Sequence, residues 1–171
     1  MSILIYFILG LLTSLLFPPY FFLPLGFIIF PSLCFLLESN KENNSDKNIF
    51  NKFSIFGFGF FISYLFWIKN PFFVFEETKN FFPFFLLLII FLSVILGLIF
   101  TIIFKLGKKI PIIILIPLMF TSSEYIISIF FYGFPWFTFS LLLSSNEYLL
   151  FSLKLFGTLF SSYLIIQIFC I

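Results

Sequence analysis

The sequence predicts an all-α polytopic transmembrane helical bundle of about six helices. Hydrophobic residues make up 62% of the 171 residues, charged residues only 9%, and Phe alone occurs 34 times. The mean hydropathy of +1.23 lies far above that of an average soluble domain. A soluble fold of this size has too little interior to bury so much apolar surface. We therefore interpret residues 1–171 as a single transmembrane domain with no soluble catalytic domain.

The first two predicted spans are residues 3–17 and 20–37, separated by Pro18-Pro19. A proline pair ends one helix and starts another, because proline lacks an N–H donor and clashes with the preceding turn. Each span is short against the roughly 20 residues that a bilayer core demands, so we expect tilted or partly embedded helices. The polar stretch over residues 38–52 is expected to be a flexible loop.

The remaining predicted spans are bounded by polar or basic segments. They are residues 53–68, 81–104, 110–132 and 148–170. Residues 69–80 are expected to form a short polar loop, and residues 105–109 a basic turn after the fourth span. The fifth span ends at the helix-breaking tetrapeptide Gly133-Phe134-Pro135-Trp136.

The lysines orient these spans. All nine basic residues are Lys, and together with the Phe, Ile and Asn bias this indicates an AT-rich bacterial genome. Six of the nine lie in the loops after the second and fourth spans: Lys41, Lys47, Lys52, Lys105, Lys108 and Lys109. The positive-inside rule places those loops and the N-terminus in the cytoplasm. We expect a multi-pass protein of the bacterial cytoplasmic (inner) membrane, with residues 133–136 facing outward.

Glu124 is a lone acid in the fifth span that hydrophobicity does not explain. A charged acid near the bilayer centre costs about 2.5–3.5 kcal/mol on insertion scales, so such residues usually face a cavity or a partner. In one interpretation Glu124 lines a cavity. In the other, a protonated or hydrogen-bonded glutamate only holds helices together, with Ser122 or Ser123 as its partner.

Other polar and aromatic residues have simple explanations. Lys154 either pairs with Glu124 or snorkels, with its aliphatic part in apolar surroundings and its ammonium group at the membrane interface. We prefer the second interpretation. Trp67 and Trp136, both near predicted span ends, are consistent with aromatic-belt anchors.

Few other residues are of types that form catalytic or metal sites. Cys34 and Cys170 sit in apolar runs without nearby His or acidic ligands, which favours simple packing over a disulfide or a metal site. We expect no metal and no cofactor, and the net charge of +2 is too small to indicate nucleic-acid binding.

The order of these features resembles the N-terminal transmembrane domain of bacterial apolipoprotein N-acyltransferase. In that family an acid-bearing fifth span precedes Gly-Phe-Pro-Trp, as Glu124-Tyr125-Ile126-Ile127 precedes residues 133–136 here. Other stretches agree in order along the chain: Phe17-Pro18-Pro19, Gly57, Gly59, Trp67 and the run from Leu155-Phe156-Gly157 to Tyr163. The chain departs from the family at Ile127, where an Arg is usual, and at Ser140-Leu141-Leu142, where Gly-Tyr-Ser is usual.

The resemblance implies a membrane-anchoring, lipid-access domain for phospholipid-to-lipoprotein N-terminal acyl transfer. Its substrate- and lipid-access residues are expected to be Glu124, Gly133, Phe134, Pro135 and Trp136, the last three forming a lip at the bilayer edge. The family's chemistry belongs to a nitrilase-like domain with a Glu–Lys–Cys triad, which residues 1–171 lack. We therefore expect a fragment or split subunit that is inactive alone and carries no catalytic residue.

The expected partners are membrane phospholipids, a separately encoded nitrilase-like domain and lipoprotein substrates. Two other functions stay open. Broken helices and an intramembrane acid also suit a small transporter subunit. A structural or orphan membrane protein without activity is the other alternative.

Overall fold

The computed structural model describes residues 3–39, 45–133 and 136–171, and their regular structure is entirely helical. The α-helices in this part are α1 (Ile3–Ser14), α2 (Gly26–Glu38), α3 (Asp46–Tyr64), α4 (Phe82–Leu106), α5 (Ile112–Phe130) and α6 (Glu147–Cys170). Short 3₁₀ helices lie between them at Leu23–Leu25, Phe66–Phe73, Glu76–Phe81 and Phe139–Ser145. The predicted all-α class is confirmed.

The predicted number of six membrane spans is not confirmed. By length and composition, three helical segments of the described chain can cross a membrane: Glu76–Leu106, Ile112–Phe130 and Glu147–Cys170. A fourth is formed if α3 and the 3₁₀ helix Phe66–Phe73, bent by 51°, count as one span. The 12 residues of α1 rise only about 18 Å at 1.5 Å per residue, against a hydrocarbon core of about 30 Å.

Helix α3 begins earlier than the apolar pattern predicted. The side chain of Ser45 caps the helix by accepting a hydrogen bond from the backbone N–H of Asn48 at 3.3 Å. Asp46 lies in the first turn, where the helix dipole favours an acid. The expected flexible loop over residues 38–52 is therefore wrong for residues 46–52, which are helical, while residues 40–44 lie outside the described part.

Small residues allow α1 and α3 to pack closely. A Cβ atom at Gly10 would collide with the carbonyl oxygen of Phe56, and one at Gly59 with the carbonyl oxygen of Phe7. Close backbone approach through small residues is the usual way in which helices associate inside a membrane. The two helices therefore form a tight pair.

Helix α6 consists of two halves. Gly157 has φ 72° and ψ 172°, a conformation that interrupts the helix. After Gly157, residues such as Ser162, Ile166 and Phe169 are buried. Before it, Tyr148, Phe151 and Leu155 are exposed. The buried residues of α6 all lie in its second half.

Aromatic rings link the segment after α5 to the centre of the bundle. Phe139 is fully buried, and its ring centroid lies 5.1 Å from that of Phe17, 5.9 Å from Phe30 and 5.3 Å from Phe120. Phe137, two residues earlier, lies 5.8 Å from Phe60. These contacts bring the segment after residue 135 back into the core instead of leaving it at the surface.

Candidate functional site

The carboxylate of Glu124 lies inside the bundle, where only 4% of the residue is exposed. Its Oε2 atom accepts a hydrogen bond from the backbone N–H of Phe139 at 3.1 Å. Its Oε1 atom accepts hydrogen bonds from the hydroxyls of Thr138 and Ser162, the latter at 3.2 Å. One side chain of α5 thus holds two parts of the chain at the same point. They are the segment after residue 135, here called the returning segment, and the second half of α6.

A second layer of hydrogen bonds supports these contacts. The Ser162 hydroxyl oxygen accepts a hydrogen bond from the backbone N–H of Ser140 at 2.8 Å. The hydroxyl oxygens of Thr138 and Ser140 lie 3.0 Å apart. Buried polar groups are costly unless they are paired, and this network pairs the hydroxyls of Thr138 and Ser140 and the backbone N–H groups of Phe139 and Ser140.

The partners of Glu124 differ from those considered from the sequence. Ser123 donates its hydroxyl hydrogen bond to the carbonyl oxygen of Phe120, in its own helix, at 2.7 Å. The described partners of Glu124 lie 14, 15 and 38 residues away along the chain. Sequence reasoning missed Thr138 and Ser162, and their one signal is that they are polar residues in or beside apolar runs.

Glu124 also borders a cavity. A space of about 350 Å³ is lined by Glu124, Gly133 and Thr138 together with residues of α5 and α6, including Ser128 and Thr158. The two interpretations of the acid therefore do not exclude each other, because the carboxylate cross-links helices and faces a cavity at once. The cavity places a buried acid and several hydroxyls beside the break that follows α5.

At the break after α5, two residues adopt left-handed backbone conformations. Tyr132 and Gly133 have φ values of 56° and 87°, and the backbone N–H of Gly133 donates to the carbonyl oxygen of Ser128 at 2.7 Å. A side chain at Gly133 would find open space but a strained φ. Of the predicted site residues, Phe134 and Pro135 lie outside the described part of the chain.

Trp136 and Trp67 have different surroundings. Trp136 is half-buried, and its ring packs edge-on against Phe131 with centroids 5.1 Å apart. Trp67 is 60% exposed, lies in the 3₁₀ helix Phe66–Phe73 that follows α3, and lines a different cavity. Only Trp136 belongs to the segment that Glu124 holds.

Lys154 is exposed on the first half of α6, whereas Glu124 is buried. The described ion pairs are Lys79–Glu76 and Lys105–Asp46, at 2.6 and 3.1 Å. The contacts of Glu124 are thus hydrogen bonds to hydroxyls and to a backbone N–H, and the preferred interpretation of Lys154 as an interfacial residue agrees with its exposure.

Searches among curated proteins and among solved structures found no match to the chain. One protein family does match, over residues 9–171, and is described as the apolipoprotein N-acyltransferase N-terminal domain. The match includes Glu124, the break at residues 133–136 and both helices that the acid joins. The chain belongs to the family of apolipoprotein N-acyltransferase N-terminal domains.

Proposed function

We propose that this chain is the membrane domain that anchors a lipoprotein N-acyltransferase and gives membrane phospholipids access to it. The catalytic chemistry would be carried out by a nitrilase-like domain, whichever polypeptide carries it. Such a domain transfers an acyl chain from phospholipid to a cysteine thiol, which releases a lysophospholipid. The resulting thioester then passes the chain to the N-terminal amine of a lipoprotein, and the thiol is regenerated.

The observation that carries this proposal is the hydrogen-bonded attachment of the segment after residue 135 to Glu124. Through Thr138 and Phe139, the acid fixes the segment that begins at Trp136. Gly133 and Thr138, on either side of the break, both line the cavity beside Glu124. Trp136 lies between these two residues in sequence and packs on Phe131, so its ring is held in place, as a lip that guides an acyl chain would need to be.

The remaining partners follow from this role. The expected substrates are bilayer phospholipids and diacylated lipoproteins, and the expected membrane is the bacterial cytoplasmic membrane with residues 133–136 outward. The family match and the apolar helices support a membrane location.

The two tryptophans provide the test. We expect Trp136→Ala to lower lipoprotein N-acylation by the assembled enzyme several-fold more than Trp67→Ala does. The assay would follow transfer of a labelled acyl chain from phospholipid to a diacylated lipopeptide, with the chain and its catalytic domain present together. Equal losses in the two variants, at equal amounts of folded protein, would contradict the role given to Trp136.

A further inference from the structure

A second cavity lies at the end of the α1–α3 pair and is not used by the proposed acyl-transfer role. It has a volume of about 470 Å³, within the range of pockets that hold small molecules. Among the described residues, it shares no lining residue with the cavity beside Glu124. Rings of the returning segment pack near this end, with Phe137 5.8 Å from Phe60 of α3 and Phe139 5.1 Å from Phe17, which follows α1. The second cavity therefore lies at the end of the bundle that Phe137 and Phe139 contact.

The walls of this cavity are lined by aliphatic side chains and by one pair of serine hydroxyls. Leu11, Leu15 and Ile62 supply aliphatic surface. Ser14 and Ser63 also line it, with their hydroxyl oxygens 2.7 Å apart. Hydroxyls both donate and accept, so this pair offers contacts to ester or glycerol oxygens beside a surface suited to a hydrocarbon chain.

The mouth of the cavity carries amphipathic rings. Tyr20 and Trp67 line it and are 67% and 60% exposed. Exposed Tyr and Trp at helix ends are typical of the level at which lipid headgroups meet the hydrocarbon core. The cavity thus lies at the depth in the membrane where a phospholipid changes from acyl chain to headgroup.

A cation lies at the rim. The Nζ atom of Lys69 is 3.3 Å from the centroid of the ring of Phe66, and Phe66 lines the cavity. In the part of the chain that the structure describes, Lys69 forms no ion pair. An ammonium group held on an aromatic face keeps its outer N–H groups available to an anion such as a phosphate.

We propose that this cavity binds one membrane phospholipid, at a site separate from the acyl-transfer cavity. One acyl chain lies against Leu11, Leu15 and Ile62, the glycerol-ester oxygens meet Ser63, and the phosphate meets Lys69. The observations needed for this are the mixed lining, the level of the aromatic rings and the cation at the rim. The proposal does not rest on the enzymatic role of the chain.

The test uses Trp67 as a reporter inside the site. The chain has two tryptophans, so Trp136→Phe leaves Trp67 as the single fluorophore. The purified chain in dodecyl maltoside micelles would be titrated with phosphatidylglycerol brominated on its acyl chains, because bromine quenches a nearby indole. We expect quenching that saturates at a low mole fraction of lipid. Quenching that only rises in proportion to the mole fraction would mean ordinary solvation by lipid and would overturn the proposal.

Two substitutions locate the lipid. Ser63→Phe fills the cavity and should abolish the saturable quenching, whereas Ser152→Phe on α6 should leave it unchanged. Lys69→Gln removes the charge while keeping a long polar side chain, and it should weaken phosphatidylglycerol binding about fivefold, the effect of one lysine on an anionic lipid. Lys154→Gln is its matched control.

A brominated diacylglycerol has acyl chains but no phosphate, so it distinguishes the contribution of the acyl chains to binding from that of the phosphate. We expect it to bind more weakly than phosphatidylglycerol and to be insensitive to Lys69→Gln. Equal behaviour of Ser63→Phe and Ser152→Phe, or equally tight binding of diacylglycerol, would show that no phospholipid site exists here.

Discussion

At the residue scale, Glu124 both cross-links segments of the bundle and borders a cavity. An acid inside a membrane bundle is costly unless it is paired. Here its two oxygens accept three hydrogen bonds, from Thr138, Phe139 and Ser162. The same residue borders the cavity next to the break, so removing it would alter both the packing of the returning segment and the cavity wall.

At this position we expect Glu124→Ala to destabilise the chain by about 1–3 kcal/mol, because two hydroxyls and one backbone N–H lose their acceptor in the core. Glu124→Gln should have a much smaller effect. Its carbonyl oxygen can accept from the N–H of Phe139, and its NH₂ group can donate to the hydroxyls of Thr138 and Ser162. Thermal unfolding in detergent micelles would measure both variants.

Glu77→Ala is the matched control, because Glu77 is exposed in the 3₁₀ helix Glu76–Phe81. A loss of stability in Glu124→Gln as large as in Glu124→Ala would contradict the hydrogen-bonding explanation. It would indicate that the negative charge itself is required.

At the scale of the element, α6 is two helices joined at a glycine. The conformation of Gly157, φ 72° and ψ 172°, belongs to a region of backbone space that is essentially restricted to glycine. A Cβ at this position would meet no other atom, so the restriction is one of backbone strain and not of space. The break separates a half without buried residues from a half whose Ser162 bonds Glu124 of α5 and whose Phe169 stacks on Phe30 of α2.

We therefore expect Gly157→Ala to lower the free energy of unfolding by about 1–3 kcal/mol, the usual cost of such a strained backbone. Thr158→Ala, at the next position and also exposed, should have little effect. Circular dichroism during thermal unfolding would compare the two. Unchanged or higher stability of Gly157→Ala would mean that α6 straightens without penalty, contrary to this explanation.

The α1–α3 pair leads to a second prediction about an element. Gly10→Ala places a Cβ against the carbonyl oxygen of Phe56, which the backbone of α3 can relieve only by moving away. We expect a loss of about 1–3 kcal/mol, as for other overpacked interfaces. Ile8→Ala, on an exposed face of the same helix, is the control. If both variants unfold at the same temperature, close approach of the two helices is not important for stability.

At the scale of the whole molecule, the bundle is built from helices of unequal length. The three segments long enough to cross a membrane all lie after residue 75, and the shorter α1 and the segment Leu23–Glu38 lie before it. The returning segment after α5 connects the two halves, since Phe139 contacts Phe17 from before α2 and Phe120 from α5. Its attachment to Glu124 therefore affects the assembly of the whole bundle.

The lysine distribution makes a prediction about orientation. In a background with Cys34→Ala and Cys170→Ala, we expect Glu77→Cys to react with a membrane-impermeant maleimide added to intact cells. Lys108→Cys should react only after the cells are permeabilised, because its loop is expected to lie in the cytoplasm. The reverse pattern would place the N-terminus outside and would also place residues 133–136 on the cytoplasmic side.

Several features of this protein followed from the sequence alone. The apolar composition required a membrane protein, because so many Phe, Leu and Ile side chains cannot be buried in a small soluble core. The acid-bearing run and residues 133–136 identified the family, which the match over residues 9–171 confirms. Local signals such as proline pairs and basic turns predict where helices end, and α4 does end at Leu106, within the basic turn expected over residues 105–109. They failed at α3, where the Ser45 cap begins the helix in polar sequence.

The tertiary structure decided what lies next to Glu124. Thr138 and Ser162 are 14 and 38 residues away in sequence, and no periodic pattern connects them to the acid. The number of spans could not be predicted from the sequence either, because hydropathy does not show that α3 bends by 51° into a 3₁₀ helix. The physical reason is the same in both cases. Hydrophobicity is a local property of the chain, whereas hydrogen-bond partners and helix bends depend on which distant segments pack together.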